Sequence, residues 1–362
     1  MLIAVDRNHN LINAEFAHKK NLYFCPSCQN KVILKKGSKK MAHFAHDQNN
    51  CCHSFSEGET NEHLLGKQQI HDFLINGGLK NIKLESYLPT IRQRPDILCS
   101  KIAFEFQCSP ISSQRLKQRI SGYHQLGMTS FWILGSPYLN RHLSLKQMIQ
   151  FIKYSKNFGF YIMYWSTTRC GLEIHYQITE QSGKFNFRKI ILYNYKQFKL
   201  FWNSNHIKSP HCHPSDILKQ IKQIQIKLMH HDLKTIQFQM ICYQNGHSMV
   251  TCPFICHYPL AEMPILGHQI LKWHILIILN LDSGIPLKEL YQKTFEKLDA
   301  KNDWIMIKNV EIMYKSIFIH FIKLLICFHY IKIKHYRLFQ LKEFKWYLDY
   351  FDKTSQIKNH FN

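Results

Sequence analysis

Arg94-Pro-Asp-Ile-Leu-Cys-Ser-Lys-Ile-Ala-Phe-Glu-Phe-Gln107 reads as two short strands joined by a tight turn near Ser100-Lys101. Asp96 opens the first strand, and Glu105 sits in the second, nine residues later. With side chains alternating along a strand, Glu105 and Gln107 share a face. Ala103, Phe104 and Phe106 surround that face with residues of core type. A carboxylate placed there costs several kcal/mol, roughly, unless it is paired or bound to metal. Asp96 and Glu105 brought together would repel, and a divalent cation between them relieves that repulsion. Oxygen donors of this kind suit Mg²⁺ or Mn²⁺, which polarise a phosphodiester and lower the pKa of a bound water. The plainer reading makes Asp96 a turn residue and pairs Glu105 with Arg92 or Arg94.

The flanking sequence sets this hairpin in an α/β domain. Residues 59–74 have helical spacing, with Leu64, Leu65, Ile70, Phe73 and Leu74 on one side, and Gly77-Gly78 stops them. Glu59 and Glu62 lie three apart on this helix, so either can supply a third acid. His63 and Lys67 are neighbours on it and can reach phosphate, and Gln107 would orient a water. Residues 81–87 and 129–134 read as strands, and residues 113–126 as a helix capped by Ser112 or Ser113. Helix, strand, hairpin, helix, strand is the pattern of a mixed sheet with helical cover. Arg115 and Arg119, four apart, form a basic stripe suited to a DNA backbone, or else a solvated helix face.

Towards the N-terminus, Cys25-Pro-Ser-Cys28 precedes His43-Phe-Ala-His46. Two thiolates and two imidazoles suit tetrahedral Zn²⁺ with no open position, a structural role. In so small a unit, metal binding supplies much of the folding energy. Lys31, Lys35, Lys36, Lys39 and Lys40 give the knuckle a basic face. The alternatives are a metal-free knuckle packed by Phe24, Val32 and Phe44, or a redox CxxC.

Towards the C-terminus the pattern turns mostly helical, over residues 216–229, 260–281, 286–300 and 314–335, after strand-like stretches at 158–165, 172–177 and 185–193. Cys242, Cys252, Cys256 and His257, and separately His211, Cys212 and His213, are read as buried thiols and satisfied histidines before they are read as metal sites. Lys332, Lys334, His335 and Arg337 form a basic patch that suits a second nucleic-acid contact.

The 362 residues carry a formal charge of +23, spread as +5 over residues 1–56, +6 over 57–165 and +12 over 166–362. A basic surface along the whole chain favours a polyanionic partner, nucleic acid before lipid. With 14% aromatic residues the chain is not mainly disordered. MLIAVDRN is polar within six residues, which argues against a signal peptide, and no apolar run reaches the ~20 residues of a membrane span. Twelve cysteines without an export signal point to reduced thiols or metal ligands in a cytoplasmic protein.

Four ordered blocks resemble the competence protein CoiA family: YFCPSCQNKVILKKGSKKMAHFAH (23–46), GETNEHLLGK (58–67), RPDILCSKIAFEFQCSPIS (94–112) and RISGYHQLGMTSFWILG (119–135). The resemblance implies a zinc-finger-like unit at residues 1–56. A PD-(D/E)XK nuclease-like domain, with a restriction-endonuclease-like mixed sheet and flanking helices, follows at 57–165. Residues 166–362 form a basic, mostly helical region. It implies Cys25, Cys28, His43 and His46 as zinc ligands, and Asp96, Glu105, Gln107 and Glu62 (or Glu59) as the nuclease-like site. Lys67, Arg115 and Arg119 are the expected DNA contacts. Gln107 stands where the wider superfamily carries lysine, and it cannot bring a positive charge. The implied function is DNA processing in natural competence, by Mg²⁺- or Mn²⁺-dependent cleavage of single-stranded DNA or recombination intermediates. The alternative is a non-catalytic DNA-binding accessory that meets recombination proteins. Neither reading inserts into a membrane.

Overall fold

The computed structural model describes residues 1–37, 41–47, 52, 60–141, 143–181, 184–207, 214–258, 264–298 and 304–361. The chain divides into two compact units, Met1–Tyr176 with Arg188–His206, and Gln177–Phe187 with Ile207–Asn362.

The first unit opens with a five-stranded antiparallel sheet: β1 (Ile3–Val5), β2 (Leu11–Asn13), β3 (Tyr23–Phe24), β4 (Lys31–Lys35) and β5 (His43–His46), in the order β2-β1-β3-β4-β5. Ala4, Ala14, Tyr23, Val32 and Phe44 are its small core. Helix α1 (Asn61–Asn76) begins where the Thr60 side chain accepts a hydrogen bond from the His63 amide, and it ends at Gly77-Gly78, where Gly78 has φ +81°.

Next come β6 (Ile82–Leu84), β7 (Ile97–Cys99), β8 (Ile102–Gln107), α2 (Ser113–Gln125) and β9 (Thr129–Leu134). The hairpin turn has Ser100 at φ +51°. Ser112 caps α2 by accepting from the Arg115 amide. After α3 (Ser136–Leu139) and α4 (Leu145–Phe151), strands β10 (Lys153–Ser155), β11 (Gly159–Ser166), β12 (Gly171–Gln181) and β13 (Lys184–Leu192) lead into α5 (Tyr195–Asn203). The main sheet runs β13-β12-β11-β9-β8-β7-β6, with β10 paired to β11. It is mixed, since β9 lies parallel to both β8 and β11 and the other registered pairs are antiparallel. The boundary expected at residue 165 falls inside β11, and β12 and β13 carry the sheet onward, because continued backbone pairing outweighs the local change in composition.

Alternation along β8 divides its chemistry between two layers. Phe104 and Phe106 join the core built with Leu64, Ile70 and Leu74 of α1. Contact is so close at Gly66 that a Cβ there would overlap the Phe106 ring. Glu105 faces α2 instead, where Tyr123 and Arg119 meet it.

The second unit contains α6 (Pro214–Met229), α7 (Leu233–Gln244), α8 (Ile270–Leu279), β14 (Ile285–Pro286), α9 (Leu287–Phe295), α10 (Val310–Cys327), β15 (Ile331–Lys334), β16 (Arg337–Gln340) and α11 (Tyr350–Phe361). It is helical, as expected, with a three-stranded sheet β14-β16-β15 added. The helix expected over 314–335 ends at Cys327. His329 then takes φ +56°, and the alternation Ile-Lys-Ile-Lys forms β15. Of the helix expected over 260–281, α8 covers Ile270–Leu279 and follows a 3-10 turn at Pro264–Gln269. Cys242, Cys252 and Cys256 are buried, and His257 places Nδ1 2.6 Å from Gln220 Oε1. Among the described residues, no helix is long and apolar enough to cross a membrane.

Candidate metal centre and carboxylate site

The Cys25–Cys28 turn joins β3 to β4. It is held by the Cys25 amide donating to Asn30 O (2.8 Å), the Gln29 amide donating to Cys25 O (2.9 Å), and the Ser27 amide 3.4 Å from the Cys25 sulfur. Gln29 completes the turn at φ +60°. Both sulfurs thereby face the end of β5, where Cys28 Sγ lies 3.3 Å from His46 Nε2. Ligand atoms of Cys25, Cys28, His46 and Cys52 all lie within 4.8 Å of one another. Three sulfurs and one imidazole nitrogen are a donor set for structural zinc. Burial pushes the Cys25 thiol up to about 12, so zinc uptake here would release protons.

His43, expected as the fourth ligand, stands outside this cluster. The segment is a strand, and residues three apart on a strand point to opposite faces. His46 turns to the sulfurs, while His43 places Nδ1 2.8 Å from Met41 O. Cys52 takes the fourth place instead. Its signal in the sequence is the Cys51-Cys52 pair, which ends six residues beyond His46. Lys39, Lys40, Glu59 and the His211–Cys212–His213 group lie outside the described residues.

At the hairpin, Ile97 pairs with Phe104, and Asp96 stands one residue before this register begins. Asp96 Oδ2 accepts from the Phe106 amide at 2.8 Å and lies 3.3 Å from His63 Nε2, while Oδ1 lies 3.7 Å from Lys67 Nζ. Burial alone would raise the Asp96 carboxyl, but the charges of His63, Lys67 and Arg119 outweigh it and hold the group well below the usual carboxylate range. Glu105 has only 2% of its surface exposed, and Oε1 accepts from Arg119 at 2.5 Å and from the Tyr123 hydroxyl. Burial raises Glu105 to about 7, with Asp96 adding to the rise and Arg119 and Tyr123 opposing it. The two carboxyls thus part in character, one firmly ionised and held towards α1, the other titrating near neutrality and held towards α2.

The remaining expected residues are placed differently. Glu62 accepts from the Ser136 amide at 2.7 Å and the Ser136 hydroxyl at 2.8 Å, so both its oxygens serve the start of α3. Gln107 donates to Ser109 O at 2.7 Å and steadies the loop after β8. Lys67 is fully buried, 2.5 Å from Glu85 Oε1, and is therefore an internal ion-pair partner and no surface phosphate contact. Arg119 is turned inward to Glu105 and Arg94 O. The pairing of Glu105 with an arginine is real, but the partner comes from α2 and is neither Arg92 nor Arg94. Arg115 remains half-buried on α2. Among the described residues, no third acid or histidine gathers tightly around both Asp96 and Glu105 as the cysteines gather with His46.

Glu85, unremarked in the sequence, is the hub behind the site. Its buried carboxylate accepts from the Leu2 and Ile3 amides at 2.9 and 3.1 Å and lies 3.5 Å from Arg94 as well as beside Lys67. Along α2, an open surface groove of about 570 Å³ is lined by Arg92, Gln93, Lys117, Gln118, Ser121 and Gln125. Cations and carboxamides in that combination suit phosphate and base edges.

A model of the competence protein CoiA N-terminal domain matches residues 8–55, and one of the competence protein CoiA nuclease-like domain matches 59–205, together more than half of the chain. The competence protein CoiA of Bacillus subtilis (strain 168) is 37% identical over 130 residues, which are 35% of this chain and 35% of that relative. The matched stretch thus spans about a third of that protein's length. No solved structure gives a significant match.

Proposed function

We propose that this chain, which belongs to the competence protein CoiA family, processes DNA in natural competence as a metal-dependent phosphodiesterase. The observation that carries this reading is the placement of Asp96 beside β8, the strand that bears Glu105, with the Asp96 carboxylate on the Phe106 amide. Mg²⁺ bound through one or two carboxylates, with water and phosphate completing its shell, needs no further protein acid. The donor chemistry therefore fits, with Asp96 and Glu105 as the residues that would hold the ion. Such an ion would polarise the phosphodiester and lower the pKa of a bound water. The chain's own part is to keep Asp96 ionised through His63 and Lys67, to fix its orientation through the Phe106 amide, and to orient Glu105 through Arg119 and Tyr123.

A second reading has its own support. Arg119 and Tyr123 already neutralise Glu105, which favours a nuclease-like domain that binds DNA without cutting it. Single-stranded, duplex and branched DNA incubated with Mn²⁺ or Mg²⁺ separate the two. Under the cleavage reading, wild type cuts at least one form and Glu105→Gln loses cutting by at least about 100-fold, while binding measured in the same tubes persists. No products from either protein beside intact binding would leave the accessory reading standing, and equal products from both would overturn the role of Glu105 in cleavage. Acting on incoming DNA inside the cell, alongside recombination proteins, belongs to the same proposal.

A further inference from the structure

The β15–β16 hairpin takes no part in the site above. Its register pairs Lys332 with Phe339 and Lys334 with Arg337. Alternation then sets Lys332, Lys334, Arg337 and Phe339 on one face, and Ile331, Ile333, Leu338 and Gln340 on the other. The first face is exposed apart from the half-buried Phe339, while Ile331 and Leu338 are buried beneath. From Phe328 to Lys342 the chain contains no acidic residue.

The turn between the strands is His335-Tyr336, with φ +49° and +58°. Two left-handed residues in succession are the geometry of a type I′ turn, which ordinarily calls for Asn-Gly. A bulky aromatic held there is strained, and strain of this kind gathers at functional positions. Tyr336 is also 84% exposed, so no packing compensates for it. At the opposite end of the ribbon, Tyr330 stacks on Phe344 with ring centres 4.8 Å apart, and Lys342 lies 4.0 Å above the Tyr330 ring. The ribbon therefore carries aromatic rings at both ends and cations between them.

We propose that the face of the β15–β16 hairpin is a contact surface for single-stranded DNA, with Lys332 and Lys334 on the phosphates and Tyr336 stacked on an unpaired base. The cations would follow a phosphate backbone, and aromatic rings among them select strands whose bases are free to stack. In a duplex the base faces are already occupied, which leaves Tyr336 without a partner. The assignment to DNA rests on the reading of the chain as a DNA-processing protein.

The test is titration of the full-length chain against labelled oligothymidylate over a range of salt concentrations, with a duplex and anionic phosphatidylserine vesicles as parallel probes. Lys332→Gln/Lys334→Gln is expected to make the salt slope shallower by about 1.4, at about 0.7 per single-strand phosphate contact. Tyr336→Gly relieves the left-handed strain, so its melting temperature should rise while its affinity falls about 5- to 150-fold at unchanged salt slope. Tyr336→Phe should bind as wild type. Wild-type affinity and slope in all hairpin variants would overturn the assignment while leaving DNA processing intact. So would loss of vesicle binding alone. Failure of the wild-type chain to bind any DNA would overturn both.

Discussion

Glu105 shows how much one position can hold. Its strand places it in the interior, where burial favours the neutral acid, yet Arg119 and Tyr123 offer donors to the charged form. Its folded-state value of about 7 lies above its ordinary 4.5, so the fold prefers the protonated group. The stability this group contributes is complete below about pH 4.5 and is lost as the pH rises through about 7. In thermal melts across that window, wild type should lose melting temperature relative to Glu105→Gln, which cannot ionise. Parallel curves for the two proteins would show that Glu105 is ionised throughout. Mn²⁺ bound at the site requires the carboxylate, so its stabilising effect should grow over the same interval and disappear in the variant.

Secondary structure decides the metal ligands at the next scale. The spacing His43-Phe-Ala-His46 suggests two neighbouring imidazoles only if the segment turns as a helix or loop. As β5 it cannot bring both to one centre, and Cys52 completes the set. Protein purified with zinc and assayed for metal content should therefore keep about one zinc in His43→Ala and lose it in Cys52→Ser. The reverse pattern would restore His43 as a ligand. Cys52→Ser should also destabilise the strands β1–β5, whose apolar core is small. In the second unit, too, the type of element decides the outcome, since alternation beyond Cys327 makes a hairpin where a continued helix was expected.

Across the first unit as a whole, Lys67 and Glu85 bind several pieces into one. Lys67 comes from α1, Glu85 from the loop after β6, Arg94 from the approach to β7, and the Leu2 and Ile3 amides from the N-terminal sheet. All of these charges are withdrawn from water, so removing one leaves the others under-compensated. Lys67→Met should cost about 3–5 kcal/mol in denaturant unfolding, far more than a surface lysine. The salt slope of DNA binding should stay as it is, because Lys67 meets no phosphate. A shallower slope with normal stability would return Lys67 to the surface.

Local chemistry was enough to read the hairpin, its two acids, the CxxC turn, the capped helices and the basic charge spread along the chain. Each depends on residues close in sequence, whose preferences for turns, caps and alternating faces act over a few positions. Partner choice depended on the folded chain. Arg119 reaches Glu105 from α2, Cys52 reaches the zinc cluster from beyond β5, and Glu85 gathers cations from α1 and the β7 approach. These pairings arise because a buried charge must find compensation wherever packing brings a donor near, and distance along the chain does not constrain which donor that is.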